Sequence, residues 1–231
     1  MSLIKLDLIN KNKYNIKCPH EMKPIGIAIH NTFNDASAKN EVNYMKNNNN
    51  QVSFHIAVDD IEAIQGLPLD RNSWSCGDGN GNGNRKHISI EICYSKSGGD
   101  RFKKAEQMAA KVVAELLKKY GWGIDKVKAH RDFANKDCPH RTNMSEFKRL
   151  VEKELSGNNN TYKDGTYNRK AKTTANLNIR AERNTDSKIV KTIPKGTILE
   201  VNYCLNNWFS TFDYKHNGNP CYVFGYYLEL I

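Results

Sequence analysis

The chain has no apolar run near the ~18 residues that a membrane-spanning helix needs, so stable insertion into a membrane is not expected. Its start, Met1-Ser2-Leu3-Ile4-Lys5-Leu6-Asp7, is no signal peptide, because the apolar stretch is short and Asp7 interrupts it. It has no C-x-x-C pair. Cys18, Cys76, Cys93, Cys138, Cys204 and Cys221 are scattered through 231 residues, too sparse for a disulfide scaffold, and read as mostly reduced thiols. There is no dense Lys/Arg run and no nucleic-acid motif, so nucleic acid is not the expected partner. There is no Gly-Lys-Ser/Thr for a phosphate loop. The run Asp78-Gly79-Asn80-Gly81-Asn82-Gly83 imitates a calcium loop, but its twelfth position is Ser89 where glutamate is required. It reads as a flexible glycine loop.

What is present is a basic chain with two textures. The 35 basic and 25 acidic residues give +10, a diffuse excess that suits a polyanion such as an anionic cell wall. Ser156-Gly157-Asn158-Asn159-Asn160-Thr161 marks the clearest break. Three parts are expected: a domain over 1–156, a linker over 157–171, and a small domain over 172–231.

The first part mixes element types. Ile25-Gly26-Ile27-Ala28-Ile29-His30 alternates like a strand, with Gly26, Ala28 and His30 on one face. Residues 52–58 and 87–93 are further strand candidates. Apolar residues at three-or-four spacing predict a helix over 101–120, capped by Asp100 and Gly121. Asn143 and Glu146 open a last helix to Leu155, and 35–46 is a weaker one. Interleaved strands and helices imply an α/β domain, a mixed central sheet flanked by helices. The tail has short apolar runs between polar turns, such as Ile198-Leu199-Glu200-Val201 and Tyr222-Val223-Phe224, which predict a small all-β barrel.

The chemistry-bearing residues gather around His130 and Cys138, eight positions apart, with His30 at the end of the first strand. Two imidazoles and a thiolate are three zinc ligands that leave a fourth position open, the habit of catalytic sites. Taken singly, either histidine reads first as a hydrogen-bonded core residue. The thiol has a competitor, because Cys18-Pro19-His20 repeats Cys138-Pro139-His140. Glu91, between Ile90 and Ile92, is a carboxylate in an apolar strand. Burial raises the pKa of such a group and makes it a candidate general base or acid. Lys136 stands two residues before the candidate thiol.

Four segments carry a family resemblance: 27–32, 53–59, 88–92 and 129–139. They resemble the zinc N-acetylmuramoyl-L-alanine amidases of the type-2 group, related to T7 lysozyme and the peptidoglycan recognition proteins. The closest likeness is to phage endolysins that attack Gram-positive walls. Leu177-Asn178-Ile179-Arg180, Lys195-Gly196-Thr197, Trp208 and Tyr222-Val223 resemble a bacterial SH3 domain.

The resemblance implies that His30, His130 and Cys138 bind zinc, against Cys18, and that Glu91 and Lys136 are catalytic. It implies hydrolysis of the amide joining N-acetylmuramic acid to L-alanine in the peptidoglycan of a Gram-positive cell wall. The alternatives are a host autolysin of the same activity or a non-catalytic peptidoglycan receptor. Some relatives have tyrosine where this chain has Phe54, which has no hydroxyl to offer. His55 is then expected either to support the site from behind or to line the substrate, Phe54 to line the substrate, and Trp208 and Tyr222 to meet the wall. A phage endolysin is made in the host cytoplasm without a signal peptide and reaches the wall through a separate pore protein. A monomer is the default expectation.

Overall fold

The computed structural model describes residues 2–156, 160, 162–185 and 187–231. The chain divides into two compact units, Met1–Val151 and Glu152–Ile231.

The first unit is built on a six-stranded sheet. Its strands are β1 (Ile4–Leu6), β2 (Gly26–Asn31), β3 (Ile56–Val58), β4 (Ala63–Gln65), β5 (His87–Ile92) and β6 (Val127–Ala129). They lie in the order β1-β4-β3-β5-β2-β6. Only the β3–β4 pair is antiparallel. Every residue of β2 is buried, as expected of an interior strand in a parallel sheet. Gly26 is required there, since a Cβ would lie 2.7 Å from the Lys126 carbonyl and 2.8 Å from the His87 ring. The helices are α1 (Tyr14–Lys17), α2 (Ala38–Asn47), α3 (Asn82–Lys86), α4 (Gly99–Tyr120) and α5 (Met144–Ser156).

Several boundaries differ from the sequence expectation. The strand expected over 52–58 shrinks to Ile56–Val58. The backbone before it is claimed elsewhere: the Val52 carbonyl accepts from the Lys17 ammonium at 3.1 Å, and Ser53 N donates to the Trp74 carbonyl. The helix expected over 35–46 starts at Ala38, where Ser37 Oγ caps Asn40 N. Asp35 is held instead by Ser97, through both N–H and hydroxyl. In α4 the N-cap is Gly98, and Asp100 sits in the first turn. Gly121 ends α4 in the left-handed conformation, as expected. Asn143 Oδ1 accepts from Ser145 N and Glu146 N at the start of α5.

The second unit is a seven-stranded, all-antiparallel sheet: β7 (Gly165–Thr173), β8 (Leu177–Arg180), β9 (Ile189–Ile193), β10 (Ile198–Leu205), β11 (Trp208–His216), β12 (Asn219–Phe224) and β13 (Leu228–Leu230). The order is β13-β7-β10-β11-β12-β8-β9. Its core holds Ile179, Val201, Phe209, Val223 and Leu228, all fully buried. The linker expected over 157–171 is therefore strand from Gly165 onward, paired along β10. The composition misled because most β7 side chains face solvent, leaving only Ala171 and Thr173 buried. Residues 157–159 and 161 of that stretch lie outside the described residues.

Candidate metal centre and cleft

Three strand ends deliver the site. In the parallel β2–β5 pair, His30 is in register with Glu91, which puts both on one face. β6 pairs with β2 up to Ala129, so His130 leaves the sheet beside them. Open parallel sheets bind ligands at the carboxyl ends of their strands, and these groups stand there.

The loop to Cys138 is fixed by its own backbone. Asp132 accepts from Ala129 N at 2.9 Å, and Arg131 N donates to the Cys138 carbonyl at 2.9 Å. The Arg131 guanidinium holds the Pro139 carbonyl. Asn31, next to His30, accepts from Arg141 N at 2.9 Å and Thr142 N at 3.2 Å, which ties the chain after Cys138 back to β2.

The result is a buried trio. His30 Nδ1 lies 3.0 Å from His130 Nδ1 and 4.0 Å from Cys138 Sγ. One ligand atom from each residue lies within 4.8 Å of the others. A tetrahedral zinc with bonds of about 2.0–2.3 Å needs ligand atoms about 3.3–3.6 Å apart, so the trio fits such an ion with little movement. Burial holds the His30 pKa well below the usual range, helped by His130 and Lys136. Burial, with Lys136, also lowers that of His130. Burial pushes the Cys138 thiol up to about 11, against the backbone N–H of Asn31. Without an ion the trio is thus held neutral, and a cation would have to displace the thiol proton.

The trio opens into a cavity of about 640 Å³ whose lining includes Glu91, Lys136, Phe54, Tyr44 and Glu41. Burial pushes the Glu91 carboxyl up to about 8. The nearby Glu41 adds to this, and Lys136 opposes it. Glu91 and Lys136 therefore share the cleft with the trio, as the sequence suggested. Cys18 does not: it is fully buried elsewhere, and its carbonyl accepts from Arg71 Nε at 2.7 Å.

Two expected substrate contacts are corrected. His55 is fully buried; its Nε2 donates to the Arg71 carbonyl and its Nδ1 accepts from Ser89 N. Both ring nitrogens serve the backbone, and burial holds the pKa at about 4, so His55 is a structural residue. Trp208 is 2% exposed and packs against Phe224, ring centroids 4.9 Å apart and tilted by 37°, inside the core of the second unit. The fused ring system is worth more there as buried area than on a surface. Phe54 does line the cavity. Tyr222 stays half-buried beside a separate surface cleft, with Arg183 4.3 Å over its ring.

Two residues near the site escaped the sequence reading. Lys17 is fully buried, and its ammonium donates to Asn48 Oδ1, the Asn50 carbonyl and the Val52 carbonyl, pinning one cavity wall. Cys76 Sγ lies 3.7 Å from His30 Nε2. Nothing in the spacing of either residue marked it; both act through the fold.

Fold and site together define an α/β domain with a His-His-Cys group that could hold a metal ion, joined to a small β domain. Residues 20–141 match the family N-acetylmuramoyl-L-alanine amidase, and the chain belongs to that family. Residues 175–229 match the bacterial SH3 domain. N-acetylmuramoyl-L-alanine amidase CwlA of Bacillus subtilis is 60% identical over 136 residues, covering 58% of this chain and 50% of that protein. The amidase XlyB of the same organism is 53% identical over 159 residues, covering 67% of this chain and 50% of that protein. The chain thus spans about half the length of these relatives. The solved structure of PlyL is 55% identical with a TM-score of 0.63, covering 67% of this chain and 98% of that one.

Proposed function

We propose that the protein is a peptidoglycan hydrolase that uses zinc to cleave the amide between the lactyl group of N-acetylmuramic acid and L-alanine. The observation that carries this reading is the convergence of His30, His130 and Cys138 in a cleft that also holds Glu91 and Lys136. The amidase family match supports the bond assigned.

His30 Nδ1, His130 Nδ1 and Cys138 Sγ would hold the ion. Zinc so bound supplies Lewis acidity and makes water acidic enough to attack at neutral pH. Glu91 takes the proton from the attacking water and holds it. As the C–N bond breaks, Glu91 returns the proton to the departing amine of L-alanine, leaving a lactyl carboxylate. Burial raises the Glu91 carboxyl above the usual carboxylate range, which suits a group that must hold a proton between the two steps. Lys136 offers its ammonium to the negative charge on the former carbonyl oxygen.

The bacterial SH3 domain would hold the enzyme on a Gram-positive wall, with Tyr222 at its surface. We further infer a phage lysin, made in the host cytoplasm and admitted to the wall by a separate pore protein. Expression in a host cell with and without such a pore tests this: lysis should need both. For the reaction itself, purified wall is digested and its new ends are counted. New L-alanine amino termini without new reducing ends are expected; new reducing ends alone would make the protein a glycosidase.

A further inference from the structure

The glycine-rich run after Cys76 lies against the metal trio. Asp78 Oδ2 accepts from Gly83 N at 2.7 Å, and Asp78 Oδ1 from Asn84 N at 3.1 Å. Asn84 Oδ1 then accepts from Ser75 N at 2.9 Å and Cys76 N at 2.8 Å. Asn84 is itself buried and donates to the Gly79 carbonyl. The loop is thus clamped at both ends.

Its glycines let it come close. A Cβ on Gly83 would lie 2.6 Å from Cys76 Cβ and 2.8 Å from the Phe133 ring. Gly77 has φ +67°, and a Cβ there would sit 3.8 Å from His130 Nε2. The clamp places Cys76 behind both imidazoles. Its sulfur is 3.7 Å from His30 Nε2, on the side of the ring away from the trio. The buried His130 ring has the Cys76 backbone within hydrogen-bonding reach.

We propose that Cys76 is a positioning residue for the metal centre, its sulfur accepting from His30 Nε2–H while its backbone backs His130. Histidine ligands commonly give their second N–H to an outer partner that fixes tautomer and ring angle. A thiol in that place keeps Nε2 protonated and the Nδ1 lone pair turned toward the ion. The Asp-Gly-Asn-Gly-Asn-Gly run then has a function: it carries Cys76 on a rigid support. This rests on reading His30, His130 and Cys138 as ligands.

The test uses the full chain. Zinc affinity is measured by chelator competition for wild type, Cys76→Ala, Cys76→Ser, Asn84→Ala and Cys138→Ala. Unfolding of each zinc-free protein is followed alongside. Cys76→Ala should lose about 10- to 100-fold in zinc affinity. Cys76→Ser should recover part of that loss, and Asn84→Ala should show a smaller loss. In cobalt-substituted protein, the thiolate charge-transfer intensity should be the same in Cys76→Ala as in wild type, because only Cys138 ligates. Wild-type affinity in Cys76→Ala, equal losses in its Ala and Ser variants, or a halved thiolate band would each overturn the proposal. If Cys76→Ala does not fold, wild-type affinity in Asn84→Ala overturns it. Wild-type affinity in Cys138→Ala would instead remove the ligand reading itself.

Discussion

Cys138 in the first unit and Cys204 in the second are both buried, and burial pushes both thiols up to about 11. By depth and titration they are the same residue. Their surroundings separate them. Cys138 lies 4.0 Å from the ring nitrogen of His30, in a group that can hold an ion. Cys204 sits in an apolar cluster with Val201, Trp208 and Phe209. The aromatics repeat the lesson: Phe54 lines a cavity, whereas Trp208 fills a core. Burial alone does not mark a functional site. Convergence of several ligand-type polar atoms beside a cavity does.

The comparison breaks most sharply at the two cysteines. Cys138→Ala should release zinc and cut turnover by about 10⁴-fold or more, since the group that generates the nucleophile is lost. Cys204→Ala should leave zinc content and turnover unchanged, at a cost of about 1–3 kcal/mol to the second unit. Metal analysis and wall hydrolysis on both variants check this; zinc loss from Cys204→Ala would end the distinction.

Glu91→Ala comes next. Turnover should fall by about 10²–10⁴ with zinc retained, the usual worth of general acid–base help. Activity above a tenth of wild type would remove Glu91 from the reaction. Trp208→Ala should destabilise the second unit by about 3–5 kcal/mol, whereas Tyr222→Ala should cost under about 1 kcal/mol there and weaken sedimentation with cell walls. Denaturant unfolding and a pelleting assay separate core from surface.

A pH dependence gives a further, modest effect. In the zinc-free protein the folded pKa of Glu91, about 8, lies above its unfolded value near 4.5. Folding therefore retains a proton that the unfolded chain releases. The contribution of Glu91 is fully present below about pH 4.5 and is lost as pH rises through about 8. Glu91→Gln should remove that decline, stabilising the zinc-free protein at pH 8.5 by about 1–2 kcal/mol after allowing for partial solvent contact. Identical pH profiles for the two proteins would contradict the raised pKa.

Much of this was legible beforehand because it is local or repeats along the chain. The period of α4, its Gly121 cap and the alternation that put His30 on the small-residue face of β2 are all written in neighbouring residues. The trio was readable because ligand chemistry narrows the residue types and the family resemblance supplied the pairing. What failed was set by distant partners. His55 looked free, yet Arg71 and Ser89 occupy both its nitrogens. Strand β7 looked like a linker because its outward side chains are polar and its inward ones are few. Lys17 and Cys76 gave no signal because their partners lie 31–35 and 46 residues away.

The most direct test of the account is X-ray absorption at the zinc edge of the purified full chain. It should report one zinc per chain with two imidazole nitrogens, one sulfur and one further light atom. Two sulfurs, or a zinc shell without imidazole, would contradict the site described.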